Sequence, residues 1–235
     1  MLSSGLPLDF SSLSDAAGLA GNICALVLFL SPIPTFRRII RSQSTEQFSG
    51  LPYIYALLNC LICFWYGTPI VSPGIILVAT VNSVGAVFQL IYLSIFIWHA
   101  EQSKKIKMSG LLLAVVAVFV VIVVVSMNFF GPHSRQLFVG YISVFSLISM
   151  FASPLCVINV VIKTRSVEFM PFHLSFATFL MSLSFFAYGM LKIDPFIYVP
   201  NGIGTILGIS QLMLYLYYSS KYGEDSREPL LASYA

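Results

Sequence analysis

Charge is what this chain has least of. Only 9% of its 235 residues are Asp, Glu, Lys or Arg, against 58% hydrophobic. Soluble domains carry about 25% charged residues, so a water-exposed globule is excluded. Seven stretches lack those four residues altogether and are long enough to cross a hydrocarbon layer of roughly 30 Å. They are Ala16–Phe36, Tyr53–Ile70, Gly74–Trp98, Ser109–Phe130, Leu137–Ile162, Phe172–Leu191 and Pro195–Tyr218. Proton- and sodium-coupled carriers usually keep intramembrane acids as ion sites, and here only backbone carbonyls could serve sodium. Histidine is equally scarce. His99, His133 and His173 lie at or beyond span ends, near no matching ligand. That argues against a metal site, a cofactor or an enzymatic constellation. The four cysteines, Cys24, Cys60, Cys63 and Cys156, all fall inside spans. Cys60-x-x-Cys63 has redox or metal spacing but no partner nearby, so buried small hydrophobes explain these residues better. No Asn-x-Ser/Thr sequon occurs. No basic residue precedes the first span, which therefore does not read as a cleavable signal.

The few basic residues are sorted by side. Arg37, Arg38, Arg41, Lys104, Lys105, Lys107, Lys163, Arg165, Lys221 and Arg227 fall on one face of the membrane, Arg135 and Lys192 on the other. The positive-inside rule puts the C-terminus in the cytosol and the N-terminus outside or in an organelle lumen. The net charge of +3 reflects that asymmetry and implies no nucleic-acid partner. The run Lys104-Lys105-Ile106-Lys107 reads as a membrane-surface anchor.

The chain also repeats itself. Under a shift of 122, Ser31-Pro32 meets Ser153-Pro154, Ser44 meets Ser166, Glu46 meets Glu168, and Tyr66-Gly67 meets Tyr188-Gly189. Asn82 and Gly85 then meet Asn201 and Gly204 at a shift of 119. A duplication inside a membrane chain points to two half-bundles flanking a central path. The expected fold is an all-α membrane protein of seven transmembrane helices, arranged as two parallel three-helix repeats joined by a linker helix (3+1+3). Its parts are residues 16–98, the linker 109–130, residues 137–218, and a cytosolic tail 219–235, mobile from Gly223 on. Three crossings leave a unit facing the other way, so one added span lets both copies enter the membrane alike. Proline punctuates each copy twice. Pro32 and Pro154 interrupt the first helix, while Pro52 and Pro171 open the second, and the four make a symmetric set of candidate hinges.

These residues spell out a family. Ser31-Pro32, Ser44-Thr45-Glu46-Gln47-Phe48-Ser49-Gly50-Leu51-Pro52, Leu58-Asn59-Cys60 and Trp65-Tyr66-Gly67 resemble the first half of a SWEET (MtN3/saliva) sugar transporter. Ala152-Ser153-Pro154, Ser166-Val167-Glu168-Phe169-Met170-Pro171-Phe172, Tyr188-Gly189 and Pro200-Asn201-Gly202 resemble the second. The likeness spans about Gly18 to Tyr218 and looks like a plant member. It implies a bidirectional carrier, and the charge-free spans suit a downhill uniporter working by alternating access.

A neutral sugar offers hydroxyls and an apolar ring face, which an apolar cavity with a few amides can hold. Asn82 and Asn201 are the matched pair. A lone membrane Asn serves equally well as interhelical glue, but the family places its substrate amides here. The resemblance also puts Cys63 and its repeat partner Phe185 beside the sugar. Leu28 and Met150 are a third equivalent pair, and disaccharide carriers of the family tend to have smaller residues there. A hexose, glucose first, therefore suits this chain better than sucrose. Tyr66 and Asp194 stand where the family has an outer gate; the alternative for Asp194 is an exposed loop acid. The partners expected are the sugar, the lipid bilayer and further copies of the chain. The membrane is the plasma or the vacuolar membrane, and the tail's Glu228-Pro229-Leu230-Leu231 only approximates a dileucine sorting signal. The rival from another class is a seven-helix receptor. That reading must ignore the duplication, and the third span ends in Trp98-His99-Ala100-Glu101 instead of an Asp-Arg-Tyr-like motif.

Overall fold

The structure, a computed structural model, describes residues 10–167 and 170–222. Glu168, Phe169 and residues 223–235, including the acidic dileucine-like stretch, lie outside the described residues. The described elements are helices: α1 (Phe10–Leu30), α2 (Ile33–Ser42), α3 (Leu51–Gly67), α4 (Ile76–His99), α5 (Gln102–Phe129), α6 (Pro132–Met150), α7 (Ala152–Thr164), α8 (Phe172–Leu191) and α9 (Pro195–Tyr222). Hydrocarbon offers backbone amides no partner, so a segment there must satisfy its own hydrogen bonds, and the helix does so. α1 with α2 and α6 with α7 run on as continuous spans, Phe10–Ser42 and Pro132–Thr164. Seven rods result. Six are long and apolar enough to cross a membrane, and the apolar α3 is shorter at 17 residues.

Several helices outrun the apolar stretches that mark them. α1 begins before Ala16 and α6 before Leu137, α5 begins at Gln102 instead of Ser109, and α9 reaches Tyr222. The apolar run measures hydrocarbon thickness, whereas helical hydrogen bonding continues into the headgroup layer. Pro132 and Pro195 open their helices because a first-turn residue needs no N–H donor.

The two composite rods, α1 with α2 and α6 with α7, each break just ahead of a proline. A proline ring crowds the carbonyl four residues back, which for Pro32 is Leu28 and for Pro154 is Met150. α1 ends at Leu30 and α6 at Met150. Ser31 repairs the first break, its N–H (3.2 Å) and Oγ (2.8 Å) both donating to the Leu28 carbonyl. Phe151 N–H donates to the Ile148 carbonyl at 3.0 Å at the second. α2 ends on Gln43 and α7 on Arg165, equivalent under the shift of 122, and both adopt the left-handed conformation, with φ of 53° and 55°. Beyond α2, Arg38 pairs with Glu46 at 2.6 Å, a contact that holds the Glu46 carboxyl below its ordinary range.

α1 packs on α4 and α8, and α6 packs on α9 and α3, so each first helix touches its own repeat and the opposite one. The pairs α3·α4 and α8·α9 are the closest associations besides α1·α8. At one end of each pair the backbones nearly touch. A Cβ on Gly67 would lie 2.4 Å from the Ala79 nitrogen, and one on Gly189 would lie 2.6 Å from the Tyr198 nitrogen. α5 lies against α3, α4 and α6. A core cluster that includes Trp65, Tyr66, Val139, Phe185, Tyr188 and Ile197 joins the two repeats. Large apolar side chains also point outward all round, among them Ile23, Val121, Phe145, Ile206 and Met213. An apolar surface that wraps the bundle belongs in lipid.

Candidate functional site

Between the repeats lies a cavity of about 330 Å³, within the range that holds small ligands. Leu28, Cys63, Asn82, Met150, Phe185 and Asn201 all line it. The two asparagines are set alike. Asn82 Nδ2 donates to the Val78 carbonyl and Asn201 Nδ2 to the Ile197 carbonyl, each at 2.8 Å and each four residues back. Each amide thus spends one hydrogen on its own helix, which fixes the side chain against the wall. The apolar part of the wall includes Ala25, Val78, Val81, Leu147, Met181 and Ile197. No Asp, Glu, Lys, Arg or His is among the lining residues. Such a space suits a neutral solute with several hydroxyls and an apolar face. Among the described residues no three His, Cys, Asp or Glu side chains gather as a metal cage would need.

Sequence reasoning left three lining or neighbouring residues without a role. Asn59 is buried, and its Oδ1 accepts from Ser146 Oγ at 3.1 Å and Cys63 Sγ at 3.7 Å, tying α3 to α6 across the repeats. Gln89 is also buried on the cavity wall. Pro200 sits inside α9, immediately before Asn201, and is fully buried. A search for equivalent pairs passes over the first two. The shift of 122 sets Asn59 against Met181, and the shift of 119 sets Gln89 against Gly208. Their signal was simpler, an amide in an otherwise apolar span.

Tyr66 and Asp194 meet. The Tyr66 hydroxyl lies 2.8 Å from Asp194 Oδ1 and 2.7 Å from Oδ2. Asp194 is 5% exposed, so it is not the exposed loop acid that was the alternative. Its position follows from the turn between α8 and α9. Asp194 N–H donates back to the Gly189 carbonyl at 2.9 Å, the long bond of a Schellman turn, whose left-handed residue is usually glycine. Here that residue is Ile193, with φ of 55°. Asp194 then caps α9, its Oδ1 accepting from Phe196 N–H at 3.0 Å. Ser72 Oγ reaches Asp194 Oδ2 at 3.5 Å and takes a bond from Gln136 Nε2 at 3.0 Å. Tyr66 and Phe196, their rings in edge contact at 5.8 Å, also line the cavity and roof it beneath this network. Beyond the roof, Ser72, Gln136 and Asp194 line a separate depression of about 350 Å³.

Comparison with known proteins gives the same picture. The family model described as "Sugar efflux transporter for intercellular exchange" matches twice, over residues 15–104 and 137–223. The bidirectional sugar transporter SWEET2a of Oryza sativa subsp. indica is 62% identical over 218 residues, 93% of this chain and 89% of that protein. The bidirectional sugar transporter SWEET2 of Arabidopsis thaliana is 60% identical over 227 residues, 96% of each. A solved structure of a eukaryotic SWEET transporter superposes with a TM-score of 0.89 at 58% identity, covering 90% of this chain and 99% of that one.

Proposed function

The chain belongs to the SWEET family of plant sugar transporters, and on that premise we propose that it is a uniporter moving hexose, glucose first, down its gradient in either direction by alternating access. It is a transporter and not an enzyme, and family membership sets the receptor reading aside. The observation that carries the hexose reading is the uncharged cavity between the repeats, walled by the matched amides Asn82 and Asn201 and narrowed by Leu28, Met150 and Phe185.

In this reading the two repeats, 16–98 and 137–218, are parallel half-bundles and 109–130 is the linker between them. The end that carries Asp194 faces outward and the arginine-rich end faces the cytosol, with the tail from 219 on the same side. The Tyr66–Asp194 bond closes the outer end, so this conformer is the one sealed to the outside. Tilting of the halves breaks that bond, while Pro32, Pro52, Pro154 and Pro171 absorb the bending near the cytosolic ends. The amides exchange hydrogen bonds with sugar hydroxyls, Phe185 lies against the ring face and Cys63 opposite it. The carrier works in the plasma or vacuolar membrane and assembles with further copies of itself.

The test is paired uptake of labelled glucose and sucrose by transporter-deficient yeast expressing the full chain, with and without an uncoupler. Glucose uptake is expected to exceed sucrose uptake and to be nearly unchanged by the uncoupler. Accumulation above the external concentration that collapses with the uncoupler overturns the uniport reading.

A further inference from the structure

Gln89 carries the only buried side-chain oxygen or nitrogen, among the described residues, that has no hydrogen-bond partner. The residue is 6% exposed, and the unpaired atom is its amide oxygen Oε1. Buried polar atoms are nearly always paired, so one left open in a native fold calls for a reason. Its surroundings supply one. Gln89 stands seven residues beyond Asn82 on α4, two turns of helix, which returns it to within about 20° of the same face and about 10 Å further along. Both residues line the one cavity. Side chains on a helix lean toward its N-terminus, so Gln89 leans from the arginine-rich end toward Asn82.

The repeat makes the placement one-sided. Gly208 is the equivalent of Gln89 and has no amide to offer, and Met181 is the equivalent of Asn59. The first repeat thus brings three amides to the cavity wall, Asn59, Asn82 and Gln89, whereas the second brings Asn201 and the Ser143 hydroxyl beside Met150, Met181 and Phe185. A pyranose has the same polarity, hydroxyls around its rim and C–H groups across its face.

We propose that Gln89 is a sugar-contacting residue, its amide taking a hydroxyl of the hexose at the arginine-rich end of the cavity. The sugar then lies with its hydroxyl rim toward Asn82 and Gln89 and a ring face on Phe185. This rests on the hexose reading above and adds to it an orientation and a contact. A turn of the Gln89 side chain brings the enclosed, unpaired oxygen to that hydroxyl and satisfies it.

The experiment uses the full chain carrying Gln89→Met, a side chain of similar length without hydrogen-bonding atoms. Removing an unpaired buried amide relieves the sugar-free protein, so its melting temperature is expected to rise. The KM for glucose is expected to rise about three- to tenfold, the weight of one neutral hydrogen bond. Across the monodeoxyglucoses, wild type should discriminate against one analogue that Gln89→Met no longer distinguishes from glucose. A lower melting temperature with unchanged KM, or failure of both Gln89→Met and Gln89→Leu to reach the membrane, assigns Gln89 to packing and overturns the proposal. Equal losses on every deoxy analogue overturn it too. Asn82→Ala separates the two levels. If it abolishes glucose transport while Gln89→Met keeps the wild-type KM, the Gln89 contact alone falls. If wild type moves no glucose, the reading beneath it falls as well.

Discussion

Tyr66→Phe removes one oxygen and keeps the ring against Phe196, so it tests the closing bond with little change in packing. A hydrogen bond to a charged acceptor contributes about 1.5–3 kcal/mol. The lower half of that range applies here. Asp194 keeps its bond from Phe196 N–H, Ser72 stays within 3.5 Å, and the adjoining depression can admit water to the vacated side. About 1.5–2 kcal/mol lost from the closed conformer alone moves the equilibrium toward the open one about 10- to 30-fold. Cys63 reports the shift, since it lines the cavity beneath the roof and is buried in this conformer. In a background carrying Cys24→Ser, Cys60→Ala and Cys156→Ser, an impermeant thiol reagent is applied from the outer side. Its reaction rate with Cys63 should rise by that same factor in Tyr66→Phe. An unchanged rate at intact surface expression refutes the reasoning, because the bond would then not hold the cavity closed.

Asn82→Ala and Asn201→Ala should each remove most glucose transport while surface expression survives, since an unpaired sugar hydroxyl in a dry site costs about 1–3 kcal/mol; normal transport by both variants would make the pair structural glue. Replacing Leu28 and Met150 with Val and Phe185 with Ser enlarges the cavity from facing walls, so sucrose flux should appear and glucose affinity fall. Equal glucose and sucrose flux in wild type would already defeat that size argument. Ile193→Gly should raise the melting temperature, because a β-branched residue in the left-handed region costs about 1–2 kcal/mol and glycine gives back only part of that in the unfolded chain. A lower melting temperature would mean that the exposed Ile193 side chain matters for packing.

Hydropathy and duplication made the rods and the paired residues readable before any coordinates, because lipid imposes helix on any apolar run of sufficient length. All six proposed substrate residues line one cavity for a related reason, since equivalent positions in two repeats face a common axis. Asn59 and Gln89 were not readable that way. Whether a lone amide faces a cavity or a neighbouring helix depends on the rotation of α3 and α4 about their axes, which packing sets. The burial of Asp194 was equally hidden. It depends on Ile193 taking a left-handed turn, which sequence alone would assign to a glycine. Helix ends at Phe10, Pro132 and Tyr222 escaped notice because apolar length and helical length are different quantities.

The near-contact of backbones at Gly67 and Gly189 limits how the molecule can deform. Where two chains pass with no side chain between them, neither can slide without steric collision, so α3 with α4 and α8 with α9 are each pinned at one point. The motion proposed above then reduces to rotation of one pinned pair against the other and bending at the far ends, where the proposed proline hinges lie. Asp194, held only five residues beyond the second pin, inherits that rigidity and travels with its helix pair as a fixed lever arm. In the proposed cycle a change of angle between the pairs is then a displacement at Tyr66, and its hydrogen bond to Asp194 breaks with no rearrangement inside either pair.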